Sequence, residues 1–267
     1  MSHAEELKSA VRERYAEIVL TPRASGASCC SPAASSECGC MSEDYSQLPG
    51  YMPEADYGLG CGLPTEVAYL KPGHTVLDLG SGAGNDAFVA RAIVGESGRV
   101  IGVDMTAAMI AKARANASKL GYQNVEFRLG EIEYLPVEAN AVDVVVSNCV
   151  LNLVPDKARA FSEVLRVLKP GGHFSISDIV VEGELPEAIR QSIEAYAGCV
   201  AGAMQKEKYL ALVEAAGFVA VRVAKEKTVA VPDELAVEAL GEAGAAQAKA
   251  SGARLLSITV YGEKPVG

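Results

Sequence analysis

Three cysteines lie far apart in the chain, each in a distinctive setting: Cys61 in GLGCG, Cys149 in SNCVLNL and Cys199 in YAGCVAGA. Thiolates are soft ligands, so three of them converging would hold a soft, thiol-seeking atom. Other uses of cysteine fit less well. Structural zinc takes ligands in close pairs such as C-x2-C, and none of the three has a close cysteine neighbour. A cysteine nucleophile needs a base within reach. His3 falls in an N-terminal helix, while His74 and His173 begin strands at the edge opposite the one Cys149 follows. Taken singly, each cysteine is better read as a small buried hydrophobe, so the case for a site rests on the three together.

A second constellation suits a nucleotide-like ligand. In VLDLGSGAG (76–84), Gly80, Gly82 and Gly84, with Ser81 among them, follow a strand and precede a helix. Glycines there permit a tight turn and close approach of a ligand to the main chain. The same logic serves dinucleotide sites, and two acids separate the readings. Asp78 lies inside the strand, where it can hold an ammonium by a charge-assisted contact. Asp104 ends the next strand, where a carboxylate accepts hydrogen bonds from both ribose hydroxyls. An NAD enzyme would share Asp104 but has no use for Asp78. Met105 follows Asp104. GEIEYLP (130–136) stands where an adenine ring would lie, with Glu131 and Ile132 as lining residues, and Asn148 closes the fourth strand beside Cys149.

Positioning these residues requires a regular framework, and the sequence supplies one. Residues 1–20 read as an amphipathic helix. Residues 21–50 turn to Ser, Ala, Gly and Pro with four cysteines (Cys29, Cys30, Cys38, Cys40), the pattern of a loop. PTEVAYL reads as a short helix. Strands are expected at 74–80, 98–104, 124–130, 141–148 and 173–180, alternating with helices over 85–94, from Thr106 as N-cap to Leu120, and from Asp156 to a stop at Pro170–Gly171–Gly172. Such alternation predicts an α/β fold, a doubly wound, mostly parallel seven-stranded sheet. Helices over 186–198 and 205–216 follow. Strands at 218–226 and 254–264, flanking a helical stretch over 232–250, form an antiparallel C-terminal pair. The expected organisation is an N-terminal helix and Cys-rich loop (1–50), a ligand-binding domain with the cysteine site (51–226), and a helical linker with the last strand (227–267).

Composition narrows the function classes. The 267 residues are 49% hydrophobic with a formal net charge of −10, and no basic stripe invites a nucleic-acid backbone. No apolar run of 18 residues suggests a membrane span, and the charged N-terminus lacks the features of a secretory signal. The expectation is a cytoplasmic monomer, binding neither nucleic acid nor membrane, whose seven cysteines serve as thiols rather than structural disulfides.

The order strand, glycines, helix, strand, acid resembles the class I S-adenosylmethionine-dependent methyltransferases, over roughly residues 70–220. The resemblance implies S-adenosylmethionine as methyl donor, held by Asp78, Gly80, Ser81, Gly82, Asp104, Met105, Glu131, Ile132 and Asn148. With GLGCG, SNCVLNL, SDIV and YAGCVAGA all present, from about Tyr57 to Phe218, the chain is similar to the arsenite S-adenosylmethionine methyltransferases. That likeness implies trivalent arsenic as substrate, held by Cys61, Cys149 and Cys199 and released as methylated arsenicals in detoxification. It also implies a thiol reductant such as thioredoxin or glutathione. In that family a further N-terminal cysteine forms a disulfide with the first of the three, a role open here to Cys38, Cys40 or the Cys29–Cys30 pair. The C-terminal portion is short beside larger members. Two other readings stand beside this one: a methyltransferase acting on carbon or oxygen of a small molecule such as a quinone precursor, and a thiol-based metalloid or redox sensor on the same fold.

Overall fold

The computed structural model describes residues 3–21, 43–184, 202–230 and 233–267. Cys29, Cys30, Cys38, Cys40, Cys199 and the helix expected over 186–198 lie outside the described residues.

The sheet follows the order β3-β2-β1-β4-β5-β8-β7. Its strands are β1 (Thr75–Leu79), β2 (Arg99–Asp104), β3 (Val125–Leu129), β4 (Val142–Asn148), β5 (Leu168–Glu182), β7 (Val219–Val229) and β8 (Arg254–Glu263). β1 through β5 run parallel, and β8 is antiparallel to both β5 and β7. The expected seven strands are joined by an eighth, β6 (Met204–Gln205), which pairs with the end of β5. The helices are α1 (His3–Leu20), α2 (Asn85–Val94), α3 (Ala107–Leu120), α4 (Lys157–Val167), α5 (Lys206–Ala215) and α6 (Asp233–Ala250).

Alternation along the central strands builds a core on each face of the sheet. Val76, Val144 and Val146 pack with Phe88 of α2 and Met109 of α3. Leu77, Leu79 and Val145 pack with Phe161 of α4 and Tyr209 of α5. Parallel central strands put their carboxyl ends on one edge, and β1, β2 and β4 end there in Asp78–Leu79, Asp104 and Asn148. Among the described residues, no helix is long and apolar enough to cross a membrane.

Several local expectations shift. Thr106 stands at the N-cap of α3 but its side chain does not cap the helix; its backbone N–H donates to Asp104 Oδ1 at 2.7 Å, and its hydroxyl also bonds to that carboxylate. PTEVAYL contributes only a 3-10 turn, Pro64–Glu66. β5 starts at Leu168, ahead of the Pro-Gly-Gly stop, because Gly171 N–H and Gly172 C=O both pair with Lys264 and hold the segment extended. The boundary expected at 226/227 falls inside β7, and β8 sits between β5 and β7, so the last described strand is part of the same sheet.

Candidate active site

The glycine loop after β1 is held open by its own backbone and by neighbours. Ser81 N–H donates to Val103 O at 3.0 Å, Gly82 N–H to Asp104 Oδ2 at 3.0 Å, and Asn116 Nδ2 to Ala83 O at 3.1 Å. Gly80 takes φ +63°, and a Cβ there would stand 2.4 Å from Val150 Cγ2. Position 80 therefore needs glycine twice over, for conformation and for close packing. That packing matters for the site as well, because Val150 is the residue after Cys149.

A cleft opens above the loop. Asp78, Gly80, Ser81, Gly82, Asp104, Met105, Ile132, Asn148 and Cys149 all line it. Glu131 does not: its carboxylate turns to α1, 2.7 Å from Lys8 Nζ and 3.5 Å from Arg12 Nη1. Glu133 and Gly130 line the cleft beside Ile132 instead. Lys8, Val11 and Tyr15 of α1 also line it, which no local sequence pattern announced.

The floor of the cleft carries three carboxylates. Burial pushes Asp78 well above the usual carboxylate range, and Asp86 and Asp104 nearby push it further. Burial raises Asp86 to about 6 against the hydrogen bonds from Tyr45 and Asn148. Burial also raises Asp104, against the bonds from Thr106 and Gly82. Asp78 Oδ2, Ser81 Oγ and Asn85 Oδ1 are buried and have no hydrogen-bond partner among the described residues. A buried polar atom left so costs about 1–3 kcal/mol. Clustered carboxylates and unsatisfied polar atoms around a glycine cradle suit a ligand that brings positive charge and hydrogen-bond donors, as the ammonium, sulfonium and ribose of S-adenosylmethionine do.

Two of the three singled-out thiols belong to the same buried region. Cys149 is 3% exposed and Cys61 is 1% exposed, and they share an apolar cluster with Val11, Leu153 and Ile179, against which Met105 packs. Cys149 forms the cleft wall; Cys61 lies behind it and outside the lining. Cys149 holds a left-handed backbone, φ +60°, uncommon for a residue with a Cβ and concentrated at functional sites; its N–H donates to Ser177 O at 2.7 Å. Cys199 lies outside the described residues. Among those described, no group of three or more His, Cys, Asp or Glu is placed to hold a metal ion.

The glycines around Cys61 follow from its neighbours. A Cβ at Gly60 would stand 2.5 Å from Asn148 Nδ2, and one at Gly62 would stand 2.6 Å from Ser177 Oγ. Cys61 O accepts a hydrogen bond from Ser257 Oγ on β8. Among the described side chains, no histidine lines the cleft; His173 is spent on Ala68 O, 2.7 Å away.

Comparisons with known proteins agree with this geometry. A methyltransferase-domain family profile matches residues 70–217. An arsenite methyltransferase of Halobacterium salinarum is 44% identical, the match covering 98% of this chain and 67% of that protein. The mouse arsenite methyltransferase is 31% identical, over 90% of this chain and 65% of that one. A match to the enzyme of the same name from Aquipseudomonas alcaligenes covers 55% of its length, so the chain spans between about half and two thirds of these relatives. Among solved structures, an arsenic(III) S-adenosylmethionine methyltransferase from Chlamydomonas reinhardtii superposes with a TM-score of 0.66 at 39% identity, covering 78% of this chain and 68% of that one.

Proposed function

Since this chain belongs to the arsenite methyltransferase family, within the class I S-adenosylmethionine-dependent methyltransferases, we propose that it methylates trivalent arsenic held by Cys61, Cys149 and Cys199. The observation that carries the reading is the contact between two loops: Gly80 of the donor cradle packs on Val150, which follows the buried thiol Cys149 in the cleft wall. A thiol-bound atom at Cys149 thus sits beside the cradle rather than across the molecule from it.

S-adenosylmethionine supplies an electrophilic methyl on a cationic sulfur. Asp78 would hold its ammonium, Asp104 its ribose hydroxyls, and Ile132 would line the adenine, with the glycine backbone between. The protein's own work is positioning. Three thiolates leave trivalent arsenic pyramidal, with its lone pair outward, so no base is needed at the attacking atom. Keeping reactants oriented at near-attack distance accounts for much of the acceleration such a site can give. The buried, apolar setting of Cys61 and Cys149 excludes water from the thiols. Attack of the lone pair would break the methyl–sulfonium bond, release S-adenosylhomocysteine and leave the methylated arsenic two electrons more oxidised. Two thiolates would then leave as a disulfide, returning the arsenic to the trivalent state, and a thiol reductant such as thioredoxin or glutathione would reduce that disulfide.

The test is purified protein with S-adenosylmethionine, arsenite and glutathione or thioredoxin, with arsenic species separated by chromatography. Methylated arsenic that vanishes in Cys149→Ser establishes both the reaction and the acceptor. Donor binding without methylated arsenic points instead to a small-molecule methyltransferase whose cysteines only pack; failure to bind the donor points to a sensor.

A further inference from the structure

Asn148 was expected to face the methyl donor, yet its amide is engaged elsewhere. Its Oδ1 accepts from Cys61 N–H at 2.9 Å and from Gly62 N–H at 3.2 Å. Its Nδ2 lies 2.6 Å from Tyr45 Oη, 2.8 Å from Gly62 O and 3.2 Å from Asp86 Oδ2. Tyr45, 4% exposed, places its hydroxyl 2.9 Å from Asp86 Oδ1 and 3.1 Å from Gly62 O. A primary amide has two donors and one good acceptor oxygen, and every one of them is turned toward the Cys61–Gly62 backbone or toward the two residues that orient the amide.

This network joins two thiols separated by 88 positions in the sequence. Asn148 is bonded covalently to Cys149, whose backbone is fixed in its left-handed conformation, and by hydrogen bonds to the backbone of Cys61. One rigid side chain therefore sets where Cys61 stands relative to Cys149. The missing Cβ at Gly60 provides the room, since a side chain there would strike the Asn148 amide.

We propose that Asn148 is the positioning residue of the thiol site, fixing Cys61 against Cys149, with Tyr45 and Asp86 holding its amide in place. The inference rests on the arsenite reading for its substrate, but the geometry it predicts can be read without arsenic. Leaving one partner of such a buried hydrogen bond unsatisfied puts roughly 5- to 150-fold in affinity at stake.

The test compares wild type, Asn148→Ala and Tyr45→Phe in three readouts: arsenite affinity, S-adenosylmethionine affinity, and the yield with which a bifunctional bimane bridges Cys61 to Cys149, scored by mass spectrometry of the linked peptides. Asn148→Ala is expected to lower bridging and to weaken arsenite binding roughly tenfold or more, with a clearly smaller loss of donor affinity, read at pH 8 to limit the effect of losing the Asn148 bond to Asp86. Tyr45→Phe removes only the hydroxyl and carries the test if the alanine variant fails to fold; its losses follow the same pattern at smaller size. Loss of donor affinity with bridging and arsenite binding intact in either variant would overturn the assignment and make Asn148 a donor contact. Should wild type bind no arsenite, the arsenite reading falls, while the bridging yields still decide the positioning role.

Discussion

Lys8 in α1 and Glu133 after β3 form an ion pair of 2.9 Å with side chains only 9% and 6% exposed, and both line the cleft above the glycine loop. The first turns of the N-terminal helix are thereby fastened over the site rather than left to pack on the outside of the sheet. Removing one partner of a buried pair strands the other charge, at a cost of roughly 3 kcal/mol. Lys8→Met is expected to lower the urea midpoint accordingly and to weaken donor binding; an unchanged midpoint would mean that the pair is solvated and that α1 does not close the cleft.

The three cysteines should separate cleanly from the donor residues. Serine at Cys61, Cys149 or Cys199 is expected to reduce arsenite methylation to background, with S-adenosylmethionine affinity kept, because none of the three replaces a group in the glycine cradle. Turnover surviving in both the Cys149 and the Cys199 variants would remove the three-thiol site.

Donor binding should depend on pH in a definite direction. A cationic ligand favours ionised Asp78, Asp86 and Asp104, and each of these is held above its usual range, chiefly by burial. Protonation of any of them opposes binding, so affinity is expected to fall as pH drops through about 6, the value for Asp86. Isothermal titration at pH 5 and pH 8 reads the difference. Adenosine, which lacks the charged portion, should show a shallower slope. Asp78→Asn is expected to cost roughly 10- to 100-fold in S-adenosylmethionine affinity.

Asp178, on β5, contributes to stability with the opposite sign from an ordinary ion-paired carboxylate. It is fully buried and raised to about 7, by burial against the hydrogen bond from Tyr209 Oη at 2.7 Å and the charge of Lys157. The folded state thus binds its proton more tightly than the unfolded chain. Its contribution is complete below the usual carboxylate range and is lost as pH rises through about 7. Between pH 5 and 8 the urea midpoint of wild type should therefore fall relative to Asp178→Asn; parallel curves would show the carboxyl to be ionised in the fold throughout.

Gly60→Ala tests the crowding around Cys61 directly. The added Cβ meets Asn148 Nδ2 at 2.5 Å, and overpacking of this sort costs about 1–3 kcal/mol. Arsenite methylation is expected to fall further than thermal stability; equal activity would show that the loop can yield.

Much of this was readable before any coordinates, for a physical reason. Strand alternation, glycine turns and helix caps are local signals, so α2 spans Asn85–Val94 as expected, Asp156 caps α4 by accepting from Arg159 N–H, and Gly121 ends α3 in a left-handed turn. The donor acids Asp78 and Asp104 came with those elements. What escaped were relationships between distant segments. Nothing near Glu131 signals that Lys8 and Arg12, more than a hundred residues earlier, draw it out of the cleft and leave Glu133 at the lining. Nothing near Tyr45 signals Asp86 and Asn148, since a tyrosine flanked by polar residues reads locally as surface. Thr106 stands at the N-cap of α3 as its position in the sequence suggests, while the bond of its hydroxyl to Asp104 belongs to the turn and has no helix signal.

The hydrogen bond from Ser257 to the carbonyl of Cys61 spans 196 positions, and it ties one of the two described thiols to β8. The glycine loop between β1 and α2 takes several of its backbone bonds from near neighbours in sequence, Ser81 N–H on Val103 O and Gly82 N–H on Asp104 Oδ2. The backbone of Cys61, by contrast, rests on β8, which pairs with β5 from Glu182↔Arg254 to His173↔Glu263, a long-range pairing of the kind that costs the most loop-closure entropy. A substitution that loosens β8 is therefore expected to shift the seat of Cys61 while leaving the glycine loop in place, so damage at one end of the chain reaches a cysteine near the other.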